Sequence, residues 1–216
     1  MVSKSRNLAI SRYQIYDRSM FTGIIRATAQ VLSSTKKDDL LQMTFEKPNG
    51  WTIGIGDSIA TNGVCLTVAE VNSASYMTEL MQETLDKSIF GISTPSRVNL
   101  EQSLMPTQLL DGHLVQGHVD TTGSISERLD HNGSSIITVT ILNMDPTLVI
   151  PKGSITIDGM SLTIIDISDN SISVSLVEYT LDHTIAGHDW QIGQTVNIEY
   201  DMMGKYITNY MKHNQK

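Results

Sequence analysis

Ser58-Ile59-Ala60-Thr61-Asn62-Gly63-Val64-Cys65-Leu66-Thr67-Val68 and Ser154-Ile155-Thr156-Ile157-Asp158-Gly159-Met160-Ser161-Leu162-Thr163-Ile164 are one pattern written twice. Aligned at a constant offset of 96, residues 58–91 and 154–187 are identical at 12 of 34 positions without a gap. The match includes Thr84-Leu85-Asp86 over Thr180-Leu181-Asp182. It continues upstream, with Gly23-Ile24-Ile25 over Gly117-His118-Val119 at offset 94. Downstream, Val98-Asn99-Leu100-Glu101 lies over Val196-Asn197-Ile198-Glu199 at offset 98. Several short matches in one order at nearly one spacing mark a tandem duplication. The copies run over about 21–101 and 115–199.

Each copy reads as β. Asn62-Gly63 and Asp158-Gly159 sit between runs rich in Val, Ile and Thr, the residues strands prefer. Such a pair signals a tight hairpin, because a type I′ turn needs positive φ at both central residues. Further strands are expected over 22–32, 40–45, 135–142 and 171–177, and short helical turns over 83–88 and 179–184. A tail helix is expected over 205–212, where Tyr206, Ile207 and Tyr210 have helical spacing. About six short strands per copy point to a small closed barrel, which leaves no exposed sheet edge. Pro106 and Asp111-Gly112 mark a linker at about 102–114.

Composition narrows the function classes. The 216 residues are 40% hydrophobic and 18% charged, as in soluble globular chains. No apolar run approaches the roughly 18–20 residues of a membrane helix. Cys65 is the only cysteine, which rules out an intrachain disulfide or a cysteine-cluster metal site and fits a reducing cytosol. A net charge of −8 with scattered Lys and Arg argues against nucleic-acid binding. Residues 1–19 hold Lys4, Arg6, Arg12 and Arg18 against Asp17 alone. A transit peptide, a disordered extension and an upstream start codon all fit that leader; we read it as a disordered extension outside the fold.

Strand side chains alternate faces, so Cys65 and Thr67 share one face and Val64, Leu66 and Val68 the other. Ser161 and Thr163 repeat the arrangement opposite Met160, Leu162 and Ile164. Small barrels fill their interiors with apolar side chains, so the polar pairs should point outward. They are either two related binding surfaces or ordinary solvent-facing residues. The run 112–120 carries His113 and His118, five apart, which on a continuous strand would face opposite ways and not share a metal. A His in such a turn is more often structural than catalytic. Lys152 suits an anionic or carbonyl oxygen, or simply solvent. Asp201 suits hydroxyl binding, orienting a base, or a strand-end turn. GxGxxG, P-loop, GxSxG and HExxH motifs are absent.

The full set of motifs resembles riboflavin synthase of the alpha-chain type. Its pieces are Met20-Phe21-Thr22-Gly23-Ile24-Ile25, Asn62-Gly63-Val64-Cys65-Leu66-Thr67-Val68, Glu83-Thr84-Leu85, and Gly112-His113-Leu114-Val115-Gln116-Gly117-His118-Val119-Asp120. They continue with Lys152-Gly153-Ser154-Ile155, Asp158-Gly159-Met160-Ser161-Leu162-Thr163 and Val196-Asn197-Ile198-Glu199. The resemblance covers nearly all of 20–206. It implies an all-β fold: a tandem duplication of a six-stranded Greek-key β-barrel with a C-terminal helix. The implied layout is an extension over 1–19, lumazine-binding barrels over 20–110 and 111–203, and an oligomerisation helix over 204–216. The implied assembly is a cytoplasmic homotrimer, in which the first barrel of one subunit faces the second barrel of its neighbour. An association with lumazine synthase is compatible with it. The implied reaction takes two 6,7-dimethyl-8-ribityllumazine molecules to riboflavin and 5-amino-6-(D-ribitylamino)uracil, without metal or cofactor.

By the same analogy, the first barrel is expected to hold substrate with Gly23, Ile24, Ile25, Ser58, Cys65, Leu66, Thr67, Glu79, Leu80, Met81, Gln82, Glu83 and Thr84. The second is expected to use Gly117, His118, Val119, Lys152, Ser161, Leu162, Thr163, Leu176, Val177, Glu178, Tyr179, Thr180 and Leu181. Ser161 and Cys65 are expected to handle the nucleophile or leaving group, and His118 to transfer a proton. Thr163 would orient the ring, with Asp201 in support. Two departures stand out: Glu178 where the family usually has proline, and Asp111 where it usually has glycine. The rivals are a non-catalytic lumazine or flavin carrier and an FAD-binding reductase barrel, for which a following nicotinamide domain is expected.

Overall fold

Asn62 and Gly63 take φ of 43° and 78°, and Asp158 and Gly159 take 45° and 81°, the left-handed pairs that close a tight hairpin. In the computed structural model, which describes residues 20–214, these hairpins lie in the walls of two barrels. The first comprises β1 (Ala27–Lys37), β2 (Leu40–Glu46), β3 (Ser58–Thr61), β4 (Val64–Val71), β5 (Ser75–Leu80) and β6 (Arg97–Gln102). Helix α1 (Gln82–Lys87) follows β5. The second comprises β7 (Thr121–His131), β8 (Ser134–Ile141), β9 (Ser154–Ile157), β10 (Met160–Ser168), β11 (Ser171–Val177) and β12 (Thr195–Tyr200), with α2 (Glu178–His183) after β11. Both close in the Greek-key order 1-2-5-4-3-6, counting within each copy. Helix α3 (Met202–Asn214) ends the described chain, beginning two residues before the expected 204. The expected extension over 1–19 lies outside the described residues. No described helix is long and apolar enough to cross a membrane.

The expected alternation holds. Val64, Leu66 and Val68 are buried in the first core, and Met160, Leu162 and Ile164 in the second. Cys65 and Ser161 are half-buried, and Thr67 and Thr163 exposed, on the outer faces. One strand expectation fails. Residues 22–26 do not extend β1, which starts at Ala27. Their backbone groups find other partners: the Thr22 and Gly23 N–H groups donate to the Glu101 carboxylate, and the Gly23 carbonyl accepts from the Ser161 N–H.

The two barrels meet across a pseudo-twofold axis through the hairpin turns. A Cβ on Gly63 would lie 2.7 Å from the Gly159 backbone nitrogen, and one on Gly159 would lie 2.8 Å from that of Gly63. Only glycine permits backbones this close. The flanking polar groups are exchanged in matching pairs. Asn99 Nδ2 donates to the Asp158 carbonyl (2.9 Å), and Asn197 Nδ2 to the Asn62 carbonyl (2.8 Å). Asn99 Oδ1 accepts from the Ile185 N–H, and Asn197 Oδ1 from the Ile89 N–H. Each asparagine thus satisfies buried backbone of the other barrel, where an unpaired group would cost about 1–3 kcal/mol.

Candidate functional site

Two buried carboxylates fix the segments that carry the site. Glu101 in β6 accepts from the Thr22 N–H (2.7 Å), the Thr22 hydroxyl (2.6 Å) and the Gly23 N–H (2.9 Å). Glu199 in β12 accepts from the Gln116 and Gly117 N–H groups, at 2.8 and 3.0 Å. Burial raises the affinity of both carboxyls for a proton, and these donors oppose it. Each segment, anchored on its own barrel, then crosses to the other. The Gly23 carbonyl accepts from the Ser161 N–H (2.7 Å), and the Gly117 carbonyl from the Cys65 N–H (2.9 Å). A Cβ on Gly23 or Gly117 would sit 2.6 Å from the Cβ of Ser161 or Cys65, so glycine is required at both crossings.

This corrects the grouping expected from the sequence. Gly23, Ile24 and Ile25 stand at the second barrel beside Ser161, and Gly117, His118 and Val119 at the first beside Cys65. The physical reason is the crossing itself: the outer edge of each hairpin is completed by the other copy's segment. At the first barrel, Cys65, Met81, Glu83, Thr84, His118 and Val119 line a cleft of about 500 Å³. That is within the usual size range of a small-molecule pocket.

The second barrel presents the matching crossing at Ser161, and His113 stands beside it. His113 Nδ1 lies 2.7 Å from Ser161 Oγ, and its Nε2 lies 3.2 Å from Thr156 Oγ1. Burial lowers the proton affinity of the ring, opposed by the negative charge of Asp201. A neutral imidazole on a serine hydroxyl can accept or return a proton. Asp201 also caps α3, accepting from the Met203 N–H at 2.9 Å. The sequence assigns proton transfer to His118 and a structural place in a turn to His113, whereas the structure puts His113 at Ser161. Gly112 was the available signal: a Cβ there would run into the Thr22 carbonyl oxygen and the Ser161 side chain, so the chain must pass closely at that point. The two histidines serve opposite barrels.

Lys152 is exposed in the turn before β9, with φ of 66°, and its N–H donates to the Ile164 carbonyl at 2.9 Å. The other described non-glycine residues with positive φ are all Asn or Asp. The first copy has Gly56 there, donating likewise to Val68. A lysine in that conformation carries strain of about 1–2 kcal/mol that a glycine avoids.

The remaining expected residues separate by depth. Leu66, Leu80, Leu162 and Leu176 are core side chains, and Leu181 packs against the second core. Ser58 pairs with Thr67 across the first hairpin. Glu79 accepts from Gln42, and Gln82 donates to Asp86, both at the surface. Val177 and Tyr179 are exposed, and the Tyr179 ring stacks on His183 with centroids 4.0 Å apart. Glu178 opens α2. The Thr180 carbonyl accepts from the Thr184 hydroxyl.

The lumazine binding domain family matches residues 22–103 and again 116–201. The riboflavin synthase of Actinobacillus pleuropneumoniae is 37% identical over 194 residues, covering 89% of this chain and 90% of that protein. That of Bacillus subtilis is 36% identical over 197 residues, with coverages of 89% and 90%. That of Mycobacterium tuberculosis is 37% identical over 199 residues, covering 89% and 98%. Among solved structures, LumP in complex with 6,7-dimethyl-8-(1′-D-ribityl)lumazine superimposes with a TM-score of 0.75 at 20% identity, covering 83% of this chain and 98% of that one. LumP with riboflavin gives the same score and coverage. The duplicated barrels, their crossed segments and these relatives agree: the chain belongs to the riboflavin synthase family and carries its lumazine-binding domain twice.

Proposed function

We propose that the protein is a riboflavin synthase, a transferase that passes a four-carbon unit between two molecules of 6,7-dimethyl-8-ribityllumazine. The products are riboflavin and 5-amino-6-(D-ribitylamino)uracil. The observation that carries this reading is the pair of pseudo-symmetric sites, each built from a small polar side chain and the other copy's crossing glycine. A reaction that joins two identical molecules in opposed orientations calls for two such matching pockets. Holding both reactants in attack geometry is worth roughly 7–11 kcal/mol, more than the roughly 10²–10⁴-fold of acid–base help. Ser161 and Cys65 handle the nucleophile or leaving group, with His113 moving the proton at Ser161. His118 serves the first pocket, Thr163 orients the ring, Lys152 meets an electronegative ring atom, and Asp201 supports His113.

The working unit is a cytoplasmic homotrimer, with the first barrel of one subunit facing the second barrel of the next. Helix α3 supports it: Met203, Tyr206, Ile207, Tyr210 and Met211 are all more than half exposed and want a cover. An association with lumazine synthase is compatible with that assembly. The test is incubation with the ribityllumazine and a chelator, with no added cofactor. One riboflavin per two lumazines consumed is expected, with turnover collapsing in Ser161→Ala. Tight binding without product would replace the enzyme by a carrier. Light scattering should give three chain masses, and truncation of α3 should give one.

A further inference from the structure

Beside the second pocket lies a cleft of about 340 Å³ that runs on from Ile25 and Tyr179. Arg26, Arg97, His183 and His188 all line it, against one carboxylate, Asp182. This is a concentration of basic groups on a chain whose net charge is −8. Their side chains are lightly engaged. Arg26 faces Asp111 at 3.8 Å with both half exposed, too loose to consume the guanidinium. Arg97 donates from Nη2 to Thr28 Oγ1 at 2.8 Å. His183 is held by its Nδ1 on the Tyr179 carbonyl and by the stacked Tyr179 ring, and its Nε2 has no hydrogen-bond partner among the described residues.

The duplication supplies an internal control. The strand registers pair Thr28 with Asn99 and Thr122 with Asn197, so positions map directly between the copies. At the first barrel the places of Arg26, Arg97, His183 and His188 are taken by Asp120, Thr195, Lys87 and Ile92. Asp86 stands where the second copy has Asp182. One of the two flanks is therefore basic and its counterpart is not, although the folds are the same. Two guanidiniums converging on one cleft suit the bidentate recognition of a phosphate.

We propose that this cleft is an anion site that receives a phosphate monoester borne by a flavin seated in the second pocket. The inference rests on the reading of that pocket as a flavin and lumazine site. Flavin mononucleotide is then a preferred, single-site ligand of the enzyme, and riboflavin a two-site ligand.

Calorimetric titration of the full-length protein tests this with riboflavin, flavin mononucleotide and inorganic phosphate in turn. Flavin mononucleotide should bind one site per chain about tenfold more tightly than riboflavin, as expected for a charge-assisted contact. Arg26→Gln with Arg97→Gln should erase that preference and leave riboflavin affinity unchanged. Equal or weaker binding of the mononucleotide, or a preference that survives the double variant, overturns the proposal. Should neither flavin bind, the pocket reading itself is wrong. Inorganic phosphate then decides the anion site alone: ³¹P line broadening lost in the double variant supports it, and no broadening overturns it. Phosphate silence alongside a strong mononucleotide preference identifies the ester, not free phosphate, as the occupant.

Discussion

The first barrel fills its interior with Phe45 and Tyr76, their rings stacked at 5.3 Å, and with the hydroxyls of Thr61 and Thr78. At the equivalent places the second barrel has Val139, Ile172, Ile157 and Val174, all aliphatic and fully buried. The cores have thus been partly rebuilt while the strand order stayed fixed. The copies keep some core residues, such as Leu66 and Leu162, and they also keep the pairs that tie one barrel to the other: Gly63 and Gly159, Asn99 and Asn197, Glu101 and Glu199, Gly23 and Gly117. A barrel interior tolerates many apolar solutions of the right volume. A backbone crossing where an added Cβ would lie 2.7 Å from the facing nitrogen tolerates one. The duplication is held together by contacts that neither half makes alone.

The sharpest way to break this comparison is at the axis. Gly63→Ala must adopt a left-handed φ and push its Cβ against the Gly159 backbone. We expect a loss of about 4 kcal/mol or more in urea unfolding, at the upper end for single substitutions. Gly50→Ala provides the contrast: φ is also positive, at 80°, but nothing lies within 4 Å of the new methyl. Only the conformational cost of about 1–2 kcal/mol should appear. Equal losses at the two positions would mean that the barrels are not in contact there.

The next effect separates the two sites. His113→Phe removes the imidazole from Ser161, and turnover should fall about 10²-fold, with little change in ligand affinity. Burial holds the His113 ring below the ordinary histidine value of 6.5. Its neutral form therefore persists into mildly acidic solution. The rate should stay level down to pH 6.5 and decline only below it, and His113→Phe should abolish that limb. A rate that titrates at or above pH 6.5 would remove His113 from the chemistry.

His113 also shows where sequence reasoning stopped. The repeat, the two hairpins and the inward–outward alternation were legible because periodicity and turn chemistry are local. The outward placement of Cys65 and Ser161 followed from that alternation, and their role in the site from the family resemblance. The crossing of Gly23 to Ser161 and of Gly117 to Cys65 was not legible. It joins residues 138 and 52 positions apart through backbone bonds that carry no side-chain signature. The same crossing places His113 rather than His118 at Ser161. It also explains why β1 stops short of 22–26: Gly23 turns at a φ of 74° and its carbonyl meets the second barrel at Ser161. The Asn99–Asn197 exchange was visible as a repeated motif, though nothing local said that each asparagine would serve the other copy.

The axis carries one charge asymmetry. Asp158 stands where the first copy has Asn62, and burial pushes its carboxyl up to about 7. Oδ1 accepts from the Asn197 N–H and Oδ2 from Trp190 Nε1, at 2.8 and 2.9 Å. Because the folded value exceeds the ordinary 3.8, Asp158 favours folding most below pH 3.8. That contribution fades as pH rises through about 7. Trp190→Phe removes a donor that stabilises the anion. Besides a pH-independent cavity cost, it should destabilise by about 1–2 kcal/mol more at pH 8.5 than at pH 5. A pH-independent loss would show that Asp158 does not titrate in the folded protein.

The smallest effect runs in the stabilising direction and borrows its residue from the other barrel. Thr78 is fully buried on β5, opposite Met43 and Val68, and its hydroxyl has no hydrogen-bond partner. At the equivalent place Val174 lies opposite Ile137 and Ile164 with no polar atom to satisfy. Thr78→Val exchanges the hydroxyl for a methyl of similar size on the same β-branched frame, so the rotamer and strand preference are kept. The gain should be about 1 kcal/mol, the usual cost of a buried polar group without a partner. Urea unfolding should show a higher midpoint with an unchanged slope, since the surface exposed on unfolding is the same. A loss of similar size would mean that the hydroxyl is satisfied by an ordered water between Thr61, Tyr76 and Thr78. The first barrel would then differ from the second by enclosing a polar site, not merely by a looser choice of core side chains.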